Sequence, residues 1–138
     1  MVGPEDDDKD DATSPLEDVF IDDAKMDEER VAAILRIYAN VGESTGRLQP
    51  TENYDKLTAG EQVLVTLVAQ QGRVLRGDIE TAAIGPKKIA EISGVKVGTV
   101  KPTVRSLVDD GLIEDGEEGY YISPTSLPRV MEELDIDE

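Results

Sequence analysis

Cysteine, histidine and tryptophan are absent from this 138-residue chain, and phenylalanine occurs once. Without cysteine there is no disulfide and no thiolate nucleophile, and without histidine no imidazole general base. Lacking both, the chain has no zinc site of the usual kind. Long apolar runs are missing too: stretches such as Val63-Leu64-Val65 are far shorter than a membrane span or the apolar segment of a secretory signal. A soluble, cytoplasmic protein without membrane contact is therefore expected. The length suits one small domain with tails, and 38% hydrophobic residues provide for one core.

What the chain has in excess is acid, with 31 Asp and Glu against 14 Lys and Arg and a formal charge of −17. The distribution matters more than the total. Residues 1–60 hold 16 acids and 6 bases, giving −10, and residues 106–138 hold 11 and 1, also giving −10. Residues 61–105 hold 4 acids and 7 bases, giving +3. A basic island in an acidic chain is an electrostatic footprint for a polyanion. The flanking acid suits a concentrated-salt cytoplasm, where the Debye length falls to about 3 Å near 1 M and distant carboxylates hardly repel a phosphate. An acidic interaction tail or a DNA mimic are the competing readings.

Residues 1–18, poor in apolar side chains and rich in acid, read as a disordered tail. Residues 19–57 hold an amphipathic helix and a linker. The helix begins near Asp27, carries Val31, Ile34, Leu35, Tyr38 and Val41 at three- and four-residue spacing, and stops at Gly42. Glu43 to Lys56 reads as polar linker. Thr58-Ala59-Gly60-Glu61 has the spacing of a capping box and opens a second helix over about 59–71 or a turn longer. Gly85-Pro86 opens a third, ended by Ser93-Gly94. A fourth begins near Gly98 or Thr99, with Thr99 as cap and Pro102 in its first turn, and closes at Asp109-Asp110-Gly111. Leu112-Ile113-Glu114 and Tyr120-Tyr121-Ile122 flank a Gly-containing loop and read as a β-hairpin. Residues 124–138 supply a last helix, with Leu127, Val130, Met131 and Leu134 on one face, and a tail that frays from Asp135.

Two short helices joined by Ser93-Gly94-Val95-Lys96 and followed at once by a hairpin have the order of a helix-turn-helix with a wing. The segments Ile89-Ala90-Glu91-Ile92-Ser93-Gly94-Val95 and Thr99 to Ile113 resemble the winged helix-turn-helix DNA-binding family over residues 58–123. The resemblance implies a mainly α fold with a small β-hairpin, flanked by N- and C-terminal helices. It also implies a recognition helix at about 99–110 and double-stranded DNA as partner, as in a sequence-specific transcriptional regulator.

With Val100, Val104, Leu107 and Val108 on the core face, Thr99, Lys101, Thr103 and Arg105 are left for DNA. The Arg105 fork suits two guanine acceptors, whereas Thr99 and Thr103 suit phosphate or a thymine methyl. Lys87, Lys88 and Lys96 suit phosphates, the first two opposing the helix dipole where they stand. The wing departs from the family pattern: its loop holds Asp115, Glu117 and Glu118 where DNA-touching wings carry Arg or Lys. That loop offers a protein partner a contact and motivates a second reading, an interaction module in a larger replication, transcription or division assembly. A homodimer through the N-terminal or C-terminal amphipathic stripe is also expected, since paired half-sites require a two-fold partner. Carboxylate clusters such as Asp27-Glu28-Glu29 lack a nucleophile or base beside them and read as solvated surface. No reaction, cofactor or metal is expected.

Overall fold

The computed structural model describes residues 15–136. The expected disorder of residues 1–14 and fraying of Asp137 and Glu138 lie outside the described residues. Pro15–Asp18 form a short 3-10 turn, which corrects the expectation of disorder for that end of the tail. Helix α1 then spans Asp23–Tyr38, and Asp22 caps it by accepting from the Lys25 N–H at 3.2 Å. Its first turn thus lies ahead of the expected start at Asp27, in a stretch with little apolar periodicity. Asp27 is not solvated surface: it is half-buried, 3.8 Å from the Arg30 guanidinium. Burial raises its carboxyl above the ordinary range, against the opposing pull of Arg30.

The helix stops at Tyr38, four residues before Gly42, because Ala39–Val41 turn into a strand. This strand, β1, pairs antiparallel with β2 at Leu48–Pro50, in the register Ala39 to Pro50 and Val41 to Leu48. A one-turn helix, α2, follows at Glu52–Asp55. The expected linker is therefore a hairpin and a helical turn, and Val41 belongs to a strand.

Helix α3, Ala59–Leu75, runs through the middle of the molecule. Its capping box is formed: the Glu61 N–H donates to Thr58 Oγ1 at 3.2 Å, and the Thr58 N–H to Glu61 Oε1 at 2.9 Å. Every residue from Val63 to Gln71 is buried, because neighbours surround the helix on all sides. Helix α4 spans Pro86–Ser93 and α5 spans Val97–Asp109. Strands β3, Glu114–Gly116, and β4, Gly119–Tyr121, form the second antiparallel hairpin around Glu117-Glu118. Helix α6, Leu127–Glu133, closes the chain. The fold is mainly helical with small antiparallel hairpins.

One core cluster runs from Val31 to Leu134. Val31, Ile34 and Tyr38 of α1 enter it, as do Leu127, Val130 and Met131 of α6 with the following Leu134. The two terminal stripes are thus spent inside the same chain, and the Tyr38 hydroxyl ties them by donating to the Leu134 carbonyl at 3.2 Å. Of the tail expected to fray, the Ile136 N–H bonds the Met131 carbonyl at 2.8 Å, and Ile136 packs on the core. Among the described residues, no helix is long and apolar enough to cross a membrane.

Candidate nucleic-acid interface

The connection between α4 and α5 is three residues, Gly94-Val95-Lys96. Gly94 ends α4 in the left-handed conformation, φ +82°, which a residue without a Cβ adopts at little cost. Ser93 Oγ accepts from the Val95 N–H at 3.1 Å, and Val95 is buried. The Tyr54 hydroxyl donates to the Ser93 carbonyl, so α2 pins the end of α4 from 39 residues away. These bonds fix where α5 begins.

Helix α5 begins earlier than its composition suggests. Lys96 is the N-cap residue, without a side-chain capping bond, and Thr99 stands inside the first turn, where it does not cap. Pro102 consequently falls in the helix interior, where it leaves the Gly98 carbonyl without its intrahelical donor. Gly98 is exposed, so water can satisfy that carbonyl. At the far end, Gly111 at φ +78° and the bond from the Leu112 N–H to the Leu107 carbonyl, 3.0 Å, complete a Schellman stop. Arg129 adds a donor from α6 to the Asp110 carbonyl at 3.1 Å.

Val100, Val104 and Leu107 are buried, and Lys101 and Arg105, four residues apart, share the opposite exposed face. Lys96 and Thr99 are exposed at its N-terminal end. Thr103 is placed differently: it is half-buried beside α3, a Cβ at Gly60 would lie 3.9 Å from its methyl, and its hydroxyl donates to the Thr99 carbonyl at 2.7 Å. The structure does not bring Thr103 onto the face of Lys101 and Arg105. Lys87 and Lys88 stand exposed in the first turn of α4, where Lys88 pairs with Glu91 at 3.7 Å. Among the described residues, Lys87, Lys96, Lys101 and Arg105 form no ion pair. The local pairing of Arg105 with Asp109 that helix spacing allows is not made.

The β3–β4 hairpin is anchored against the stretch before α4. Ile84 forms an antiparallel bridge with Tyr120, with N–H to carbonyl distances of 3.1 and 2.8 Å. Gly119 makes that approach possible: its φ is +137°, and a Cβ there would lie 2.4 Å from the Ile84 carbonyl carbon. Asp115, Glu117 and Glu118 at the hairpin's tip are exposed.

The Tyr54 pin and the Ile84 bridge escaped sequence reasoning. A tyrosine in a polar segment was the available signal for the first, and an isolated Ile between helices for the second. Among the described residues, no group of three or more acidic side chains is arranged to hold a metal ion. Comparison with protein-family models, curated proteins and solved structures finds no match.

Proposed function

We propose that the protein is a non-enzymatic, sequence-specific binder of double-stranded DNA, built as a winged helix-turn-helix and acting as a transcriptional regulator in a salt-rich cytoplasm. The observation that carries this reading is the outer face of α5, where Lys101 and Arg105 stand exposed, without carboxylate partners among the described residues, in a chain of charge −17. The two bases lie four residues apart on one face, and the helix they occupy follows a three-residue turn. The order α3, Ile84, α4, α5, β3, β4, with Ile84 paired to the hairpin, supports reading the unit as a helix-turn-helix followed by a wing.

An α-helix fits the major groove, about 12 Å wide, and the side chains of its exposed face can then reach base edges and phosphates. In that pose Arg105 takes two guanine acceptors, and Lys101, Lys96 and Lys87 take phosphates. Thr99 stands at the leading turn. Thr103 serves instead to seat α5 on α3. A homodimer matching two half-sites would need a surface other than the two stripes, and Leu16, Val19, Phe20 and Ile21 are exposed ahead of α1 for that purpose.

Duplexes selected from genomic fragments, titrated by fluorescence anisotropy at molar salt, test the reading. Arg105→Ala should cost about 1–3 kcal/mol and relax preference at a guanine, while Lys101→Ala should weaken all duplexes alike. Unchanged affinity in both variants would defeat it.

The acidic tip of the hairpin favours a second reading, a winged-helix module for protein contact in a larger assembly. Pull-down from native extract that recovers one stoichiometric protein and no enriched DNA would support this reading over the first.

A further inference from the structure

Three of the chain's seven arginines, Arg36, Arg73 and Arg76, line a single cleft of about 580 Å³ between α1, β1 and the C-terminal half of α3. Its walls include the apolar side chains Val31, Leu35, Ala69 and Leu75. The volume lies within the range of small-molecule sites, and an apolar lining with a few polar groups is their usual make-up.

The three arginines differ in what they already hold. Arg76 is shared by Glu43 at 3.6 Å and Asp78 at 3.5 Å. Arg36 is exposed and makes no ion pair among the described residues. Arg73 is half-buried, its guanidinium lies against Gly46, and its Nε is buried with no hydrogen-bond acceptor. That nitrogen is out of reach of water and of a ligand alike; a carboxylate is the group whose geometry an arginine fork matches. Glu28 lines the same cleft, eight residues before Arg36 and so about 12 Å away along α1. It disfavours a second negative charge at that end.

We propose that this cleft binds a small amphipathic monocarboxylate, its head taken by Arg36 and Arg73 and its apolar body lying over Val31 and Leu35. The site is separate from the exposed face of α5 and does not depend on DNA binding.

Isothermal titration calorimetry of the full chain with decanoate, and with decanol as its uncharged counterpart, tests this. We expect one decanoate per chain, decanol at least tenfold weaker, and a loss of at least tenfold in decanoate affinity for Arg36→Glu. Ala32→Trp, which fills the cleft from α1, should abolish binding while circular dichroism confirms the fold; Arg36→Gln, on an exposed side chain, should give a smaller loss. Equal binding of decanol, or decanoate affinity unchanged in the Arg36 and Ala32 variants, would overturn the proposal. No binding to wild type would overturn it as well. If Phe20→Ser converts a dimer that takes no decanoate into a monomer that does, the occupant is the Leu16–Ile21 segment of a second copy and the proposal fails.

Discussion

Two residues remote from the α5 face hold that face in place. Gly119 allows the backbone of Ile84 to meet the second hairpin, and any Cβ would strike it. Gly119→Ala should lower stability by about 2–3 kcal/mol in urea unfolding, since strain at a glycine-only φ adds to the broken bridge. Tyr54 is 4% exposed, with its hydroxyl bonded to Ser93. Burial raises its ionisation above the ordinary value near 10, a bond with Thr66 lowers it, and Asp55 adds to the rise. Because the folded state holds this proton more tightly than the unfolded chain, the associated stability is complete below about pH 10. It is lost as pH climbs through the raised value. Alkaline titration of unfolding should show that loss, and Tyr54→Phe should reduce its slope while costing about 1–3 kcal/mol at neutral pH for the unbonded Ser93 carbonyl.

At the scale of elements, the helices whose ends carry side-chain or glycine signals were legible. Thr58 with Glu61 marked the start of α3, Pro86 that of α4, and Gly111 the end of α5. Where an end is set by tertiary bonds, reading by composition failed. Helix α5 opens at Val97, because Tyr54 and Ser93 position the preceding turn, and Thr99 looked the better cap only in isolation. The β1–β2 hairpin was hidden because each strand is three residues long and the Ala39–Val41 strand continues the apolar pattern of α1. Of the candidate site, the Lys101 and Arg105 face followed from helical spacing, whereas Thr103 borders the core stripe closely enough to be drawn toward α3. Thr58→Ala should cost about 1 kcal/mol through loss of the capping box. Arg129→Ala should loosen the C-terminal end of α5, by about 1 kcal/mol for one lost capping bond, seen as faster amide exchange at Gly111 and Leu112.

For the whole molecule, the governing quantity is −17 spread as two acidic flanks around a basic middle. At 0.1 M salt the Debye length is about 10 Å, long enough for carboxylates on neighbouring elements to repel one another; at 1 M it is about 3 Å. The thermal midpoint should therefore rise steadily with potassium chloride between 0.1 and 2 M, and a flat profile would contradict adaptation to concentrated salt. The same screening decides whether Lys101 and Arg105 can approach phosphates past Asp115, Glu117 and Glu118. Genome-wide occupancy of the native protein in its host tests DNA reading by α5 most directly. Discrete peaks that vanish when Lys101 and Arg105 are both replaced by alanine are the predicted result. A profile without peaks, from a folded and abundant protein, would contradict it.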